Sequence, residues 1–334
     1  MTAPGRQPPS LPALLGPALG EVLGGCRRHT GPLRTVRRLT GGNVAHVFRL
    51  RGTHASVIVK IRRERFARIP QLRTEPALIA DEHRALGVYT NAVPGVFPTV
   101  LAFHRDAHAL VLTDVFPGGR NYQERLSRRP ATVAEMTRLG RTLRTVHHAT
   151  RHIGTQIRSQ GDTWFREHTF DFCLRAAGHP ALDRACEQMP AQRGQQLVLG
   201  DLAPKNLALT ALHTTLCDLD NVHRGWPLFD LAYFTAHLLI HHLNRPRRLP
   251  GLVQALNAGY LGTTTLTCTE QHLAATVTAG VVLYRLANRL VPYPLNQPPR
   301  SVGRYRARVL GLLDAGTFTT HDLVQAARTA RTTV

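Results

Sequence analysis

The sequence predicts an α+β fold of two lobes, a small β-rich N-terminal lobe followed by a larger helical one. Three observations predict it. Alternating, β-branched segments crowd into residues 33–115. Beyond residue 116 the apolar positions recur at helical spacing. A chain of 334 residues, 43% of them hydrophobic, is long enough for two domains or one large bilobal one. The expected division is a leader over 1–30, a first lobe over 31–115 and a helical lobe over 116–334.

The elements follow in order. Residues 1–30 are rich in Pro and Gly around a short apolar segment, 11–23, which predicts one small helix. Residues 33–39 alternate as a strand does. The turn Thr40-Gly41-Gly42-Asn43 leads to a second strand at 44–50, and Arg51-Gly52-Thr53-His54 to a third, SVIVKI, at 56–61. Together they predict a meander of three antiparallel strands. A helix is expected over 76–89, with Pro76 suited to its first turn. Strand-like segments return at 97–103 and 109–115, and Phe116-Pro117-Gly118-Gly119 then breaks the chain. Thr132 and Glu135 make a capping-box pattern, after which Met136, Leu139, Leu143 and Val146 keep to one helical face. Short strands are expected at 197–200, 207–210 and 215–219. Residues 227–331 read as helical, with Pro-rich breaks at 291–299.

Charge and composition exclude several function classes. Lys and Arg number 42 against 21 Asp and Glu, a net charge of +21. Such a field attracts anions, but the basic residues are dispersed, with no run of five or more; the largest clusters are short, such as Arg62, Arg63, Arg65 and Arg68. Dispersed charge reads as a solvated surface and disfavours a nucleic-acid groove. The best apolar stretch, 273–284, is closed by Arg285 and Arg289 and is too short to span a bilayer, so no membrane association is expected. Pro12 and Pro17 break the N-terminal apolar stretch, so no secretory signal is expected. Five scattered cysteines without a CxxC pair disfavour a disulfide framework or structural zinc and point to a reducing, cytoplasmic setting.

All but two of the basic residues are arginine; the exceptions are Lys60 and Lys205. A lysine is a compact point charge where arginine is a wide planar fork, so lysines that persist in such a chain mark sites for the compact ammonium, often phosphate or catalytic sites. Lys60 ends the apolar run Val57-Ile58-Val59 and needs an anionic partner. Glu82, on the apolar face of the following helix with Leu78, Ile79 and Leu86, is the economical one; Glu75, before Pro76, competes. Lys205 lies inside Leu199-Gly200-Asp201-Leu202-Ala203-Pro204-Lys205-Asn206, between two apolar strands. Cys217-Asp218-Leu219-Asp220 then places another carboxylate after a strand. Asp201, Asn206 and Asp218 on neighbouring hairpin loops offer hard oxygen ligands of the kind that suit Mg2+ on phosphates.

At this point the chain resembles the aminoglycoside phosphotransferase and choline kinase family, which has a bilobal protein-kinase-like fold. LGDLAPKN is similar to the family's HGDxxxxN loop, CDLDN to its metal-binding Asp segment, and Gly225-Trp-Pro-Leu-Phe-Asp230-Leu-Ala to its G-x-P-x-x-D-L-A element. VIVK and ADEHRAL resemble the phosphate-binding strand and its partner helix, and TGGN the loop over the nucleotide. The resemblance covers about residues 33–290. It implies ATP-dependent phosphorylation of a small-molecule hydroxyl, with ATP and Mg2+ as cofactors and the first lobe binding the nucleotide. It implies that Asp201 orients and deprotonates the acceptor; the persistence of Lys205 as lysine points to a reach to the γ-phosphate. Lys60, held by Glu82, would bind the α- and β-phosphates. Gly41, Gly42 and Asn43 would cover the nucleotide, and the backbone from Thr113 to Val115 would bind adenine. Asn206 and Asp218 would hold Mg2+, and Asp230 would brace the loop. Leu199 stands where the family has His, filling that space by packing.

The eleven residues between Asp218 and Asp230, with no APE-like motif after them, are too few for a peptide-docking activation segment, which disfavours a protein kinase. A catalytically degenerate kinase-like scaffold that binds a nucleotide or an anionic partner without turnover is the rival reading. Asp162, Glu167 and Asp171 among Trp164, Phe165, Phe170 and Phe172 form a carboxylate-aromatic stretch that would suit one ammonium group or a plain core. His237, His241 and His242 read as a helix face and not as a metal site. The scarcity of carboxylates and the positive field predict a neutral or anionic acceptor.

Overall fold

A computed structural model describes residues 9–40, 42–118, 120–152, 157, 169–192, 196–210, 212–287, 293, 295 and 297–330. The chain forms two compact units, Met1–Gly87 with Pro98–Gly118, and Val88–Phe97 with Gly119–Val334. They constitute the α+β, protein-kinase-like arrangement of a β-rich unit and a helical one.

The first unit is built on five antiparallel strands in the order β1-β2-β3-β5-β4: β1 (Leu33–Leu39), β2 (His46–Gly52), β3 (Ser56–Ile61), β4 (Val100–His104) and β5 (Ala109–Thr113). The predicted meander is there, and the two later strands join its β3 edge. β4 starts at Val100, after Pro98, which has no N–H to give the ladder. The leader holds two helices where one was expected, α1 (Leu11–Leu15) and α2 (Leu19–Thr30), separated at Gly16-Pro17. Gly16 takes φ +52°, which ends α1, and α2 then runs on to Thr30. Val22 and Cys26 of α2 pack with Phe48, Leu50, Val57, Val59, Ile61, Ala109 and Val111 in one apolar cluster. Each fully buried aliphatic side chain there is worth about 1.5–3 kcal/mol. Strand alternation then sends Lys60, between Val59 and Ile61, to the opposite face of the sheet.

Helix α3 (Ile79–Ala92) follows a 3₁₀ turn at Pro76–Leu78. Its last turn belongs to the second unit, where Tyr89 stacks on Phe97 at 4.6 Å and Val96 accepts the Leu216 N–H at 2.7 Å.

The second unit contains α4 (Tyr122–Leu126), α5 (Val133–Ala149), α6 (Pro180–Gln188), α7 (Leu228–His241), α8 (Leu249–Leu261), α9 (Cys268–Ala287), α10 (Pro299–Ala315) and α11 (Thr320–Thr329). α5 opens on the predicted capping box of Thr132 and Glu135. It lies tightly on α8, since a Cβ at Gly140 would come within 2.3 Å of the Leu256 carbonyl. Four short strands complete the unit: β6 (Gln196–Val198), β7 (Leu207–Leu209), β8 (Thr214–Leu216) and β9 (His223–Gly225). β7 pairs with β8, and β6 with β9, the one strand not expected. Among the described residues no helix is long and apolar enough to cross a membrane.

Candidate active site

In the first unit, Lys60 reaches across from β3 to α3 and is held by both oxygens of Glu82, Nζ to Oε1 at 2.9 Å and to Oε2 at 2.7 Å. Both residues are buried, so neither charge would be tolerable without the other. The turn after β1 is anchored by the Arg-rich segment at 62–73: the Arg68 N–H donates to the Asn43 carbonyl and the Ala67 N–H to that of Val44. That segment closes on itself through a bridge between Arg65 and Arg73. Gly42 and Asn43 therefore sit in an anchored turn, while Gly41 lies outside the described residues.

After β5, the segment from Thr113 to Val115 is fixed by a residue the sequence reading passed over. Asp114 takes Arg49 Nε on Oδ2 at 2.7 Å and Arg49 Nη2 on Oδ1 at 3.1 Å. Ser56 donates to Oδ2 at 2.6 Å and the Phe116 N–H to Oδ1 at 3.0 Å. The same Arg49 also donates to the Phe116 carbonyl at 2.8 Å.

In the second unit, β6 runs into a loop over residues 199–206. Gly200 takes φ +76°, and a Cβ there would come within 2.1 Å of the Asn221 carbonyl, so only glycine makes this turn. Asp230, at the start of α7 and fully buried, accepts the Leu199 N–H at 2.7 Å and the Gly200 N–H at 2.9 Å. His147 on α5 donates Nε2–H to Asp230 at 3.0 Å and receives the Tyr260 hydroxyl on Nδ1 at 2.8 Å.

The loop brings Asp201, Lys205, Asn206 and Asp218 together. Asn206 donates its amide to the Asp201 carbonyl at 3.1 Å and to Oδ2 at 3.2 Å. Lys205 Nζ lies 3.3 Å from Asp201 Oδ2 and 4.0 Å from Asp218 Oδ2. Asp218 adopts φ +69°, a conformation that Asp tolerates better than most residues and that recurs at functional sites. A carboxylate oxygen of Asp218 and one of Asp220 lie within 4.8 Å of each other. Asp220 is thus a further oxygen donor beside the expected ones.

The sequence reading also missed Arg285, on α9. Its Nη2 meets Asp201 Oδ1 at 3.2 Å and donates to the Tyr233 hydroxyl. Its guanidinium lies 4.6 Å from the ring centre of Tyr284, 5.3 Å from Tyr293 and 5.6 Å from Tyr233. The available signal was a charge at the end of the most apolar helix pattern; its partner, 84 positions earlier, carried no local signal.

Two of the three histidines share a hydrogen-bond partner, while His242 bonds the Ala131 N–H and the Leu238 carbonyl. His237 Nδ1 and His241 Nε2 both bond the Tyr293 hydroxyl at 2.7 Å. Burial, with the Arg285 charge adding to it, pushes His237 well below its ordinary range, and burial beside His242 brings His241 down to about 4. Of the carboxylate-aromatic stretch, residues 162–168 lie outside the described residues. Phe170 is buried near Phe229, and the exposed Asp171 pairs with Arg175 at 2.9 Å.

The model of the Phosphotransferase enzyme family matches residues 35–270. Solved structures with a similar fold include the amicoumacin kinase hAmiN in complex with AMP-PNP, Ca2+ and Ami, with 14% identity over 93% of this chain and 98% of that one, TM-score 0.58. Spectinomycin phosphotransferase APH(9)-Ia, in complex with ADP and spectinomycin, shows 13% identity over 93% and 98%, TM-score 0.53. A choline/ethanolamine kinase family protein from Mesorhizobium loti shows 17% over 93% and 99%, TM-score 0.51. No curated protein matches by sequence.

Proposed function

The chain belongs to the phosphotransferase enzyme family, and from that premise we propose that it transfers the γ-phosphoryl group of ATP to a hydroxyl of a small molecule. The observation that carries this reading is the 201–206 loop, where a carboxylate, a lysine and an amide are held together and a second carboxylate lies 4.0 Å from the lysine. In it Asp201 accepts the acceptor hydroxyl's hydrogen bond and takes its proton as the oxygen attacks phosphorus. Lys205 reaches the γ-phosphate. Lys60, aligned by Glu82, binds the α- and β-phosphates, and the turn of Gly41, Gly42 and Asn43 covers them. The backbone from Thr113 to Val115 receives adenine. Residues 31–115 are thus the nucleotide-binding lobe and 116–334 the catalytic and substrate lobe.

Asp218 and Asp220 hold carboxylate oxygens within 4.8 Å of each other, and with the Asn206 amide oxygen they would make a hard set that fits Mg2+. Asn206 turns its Nδ2 to Asp201, leaving Oδ1 as the donor for a cation. Mg2+ held there would neutralise charge on the transferring phosphoryl group. All five cysteines are free thiols, in keeping with a cytoplasmic enzyme.

The solved neighbours are named for amicoumacin, for spectinomycin and for choline or ethanolamine, so their names do not point to a single acceptor. Here the +21 net charge and the cations at Asp201 favour a neutral or anionic acceptor. The test is label transfer from γ-labelled ATP with Mg2+ to a panel of sugars, amino alcohols, simple alcohols and kanamycin-type aminoglycosides. The wild type should label a neutral or anionic acceptor, and Asp201→Ala should lose about 10²–10⁴-fold in turnover while still binding ATP. Nucleotide binding without transfer to any acceptor would establish the scaffold reading instead. Saturable labelling of the polycations at the best specificity constant would overturn the acceptor assignment.

A further inference from the structure

We propose that Arg285 is the positioning residue for the catalytic carboxylate, fixing Asp201 from behind through a tyrosine-lined recess. The inference rests on Asp201 being the base, as proposed above. A carboxylate offers roughly four acceptor directions. Arg285 takes one on Oδ1 and Asn206 one on Oδ2, while the Lys205 ammonium lies 3.3 Å from Oδ2 as an ion pair. The directions left are open to the acceptor hydroxyl, and the two donors, one on each oxygen, decide where they point.

Arg285 is built for this role more than for stability. It stands on α9, whose buried positions are otherwise Leu, Val, Ala, Gly and Thr. Its side chain is 5% exposed, and its Nε has no hydrogen-bond partner among the described residues. A buried cation with an unused donor is expensive, and an apolar residue of similar size would pack there at lower cost. What it provides is a flat, rigid fork. Tyr233, Tyr284 and Tyr293 offer their rings to it, and the Tyr233 hydroxyl accepts from the same nitrogen that meets Asp201. His237 and His241 hold the Tyr293 hydroxyl in turn. The carboxylate is thereby tied to a buried network on α7 and α9, and its orientation does not depend on the short loop alone.

The experiment uses the full chain with Arg285→Gln, Arg285→Lys and Arg285→Ala. Turnover is measured on the acceptor found by the screen and on water, as slow ATP hydrolysis, with the KM for ATP, the melting temperature and amide exchange over 201–206. The Gln variant should lose about 10²-fold in kcat, the scale of a reacting group displaced by about 1 Å, with the KM for ATP within about twofold. Lys, which keeps the charge and loses the fork, should recover part of that loss. Low, non-denaturing guanidinium should recover part of it in the Ala variant. Unchanged kcat in Arg285→Gln, or kcat falling in step with melting and without rescue, would overturn the proposal. Should the wild type transfer phosphoryl to neither acceptor nor water, the kinase reading fails by itself. Exchange then decides: faster exchange of the Ala203 and Asn206 amides, with α9 still protected, upholds Arg285 as what fixes the loop, and unchanged exchange refutes it.

Discussion

His147 and Asp230 are bonded in the core, Nε2 to Oδ2 at 3.0 Å, and through that bond α5 supports the loop that carries Asp201. Asp230 has its oxygens on the N–H groups of Leu199 and Gly200. The imidazole absent at position 199 is therefore not missing from the support of the loop, because His147 supplies one to the same Asp230 oxygen that takes the Leu199 N–H. His147→Phe should leave a buried carboxylate short of one of its hydrogen-bond donors and lower stability by about 1–3 kcal/mol. Leu199→His should also destabilise, by about 1–3 kcal/mol, because Asp230 is already occupied and a second imidazole has no acceptor waiting. Thermal melting of both variants is the check; a melting temperature unchanged in either one contradicts this account.

Lys60→Arg keeps the charge and should still fail. Glu82 meets a single nitrogen with both oxygens, at 2.7 and 2.9 Å, in a buried setting, and a wider planar fork does not reproduce that single-nitrogen contact. Turnover should fall by at least about tenfold and the KM for ATP should rise, given that a 1 Å displacement can cost about 10²-fold. Steady-state kinetics with varied ATP would show wild-type constants if the lysine were incidental.

Asp114→Asn should affect nucleotide binding and leave the chemistry nearly alone. The carboxylate gathers Arg49, Ser56 and the Phe116 N–H, which sets the backbone proposed to receive adenine. Removing its charge strands Arg49, which is 9% exposed, at a cost on the order of 3 kcal/mol. The expected result is a KM for ATP raised about tenfold, equivalent to about 1.4 kcal/mol, with kcat within about twofold. A fall in kcat at constant KM would place Asp114 elsewhere in the mechanism.

Stability should decline in mild acid. His242 is buried, donates Nδ1–H to the Leu238 carbonyl at 2.9 Å and accepts the Ala131 N–H on Nε2 at 3.1 Å. Burial pushes it down to about 4, with the charges of Arg245 and Arg248 adding to the effect. The unfolded chain takes up this proton near pH 6.5 and the folded one only near pH 4. Its contribution is therefore whole above about pH 6.5 and is lost as the pH falls through 4, up to about 3 kcal/mol in all. Denaturant melts at pH 7 and pH 4.5 should differ in that direction, and His242→Gln should narrow the gap; an equal gap in the variant would assign it to other groups.

Much of this protein was legible in its sequence because the determinants are local. Strand alternation in SVIVKI, the Thr132-Glu135 cap and the Gly200-Asp201 turn are all set by neighbours within a few residues, and so were the strands, the helix start and the loop. Lys60 and Glu82 could be paired across 22 positions because each was a charge on an otherwise apolar face, and two such charges have few ways to be satisfied. Arg285 with Asp201, His147 with Asp230 and Arg49 with Asp114 were decided only by the tertiary structure. In each pair one partner was an ordinary-looking residue, one arginine among dozens or a histidine among 18. Its role comes from which helix or strand the fold lays beside the other partner, 84, 83 or 65 positions away. Local propensity and periodicity carry no information about that distance. Only the packing of α5, α7 and α9 in one unit, and of β2 and β5 on either side of β3 in the other, supplies it.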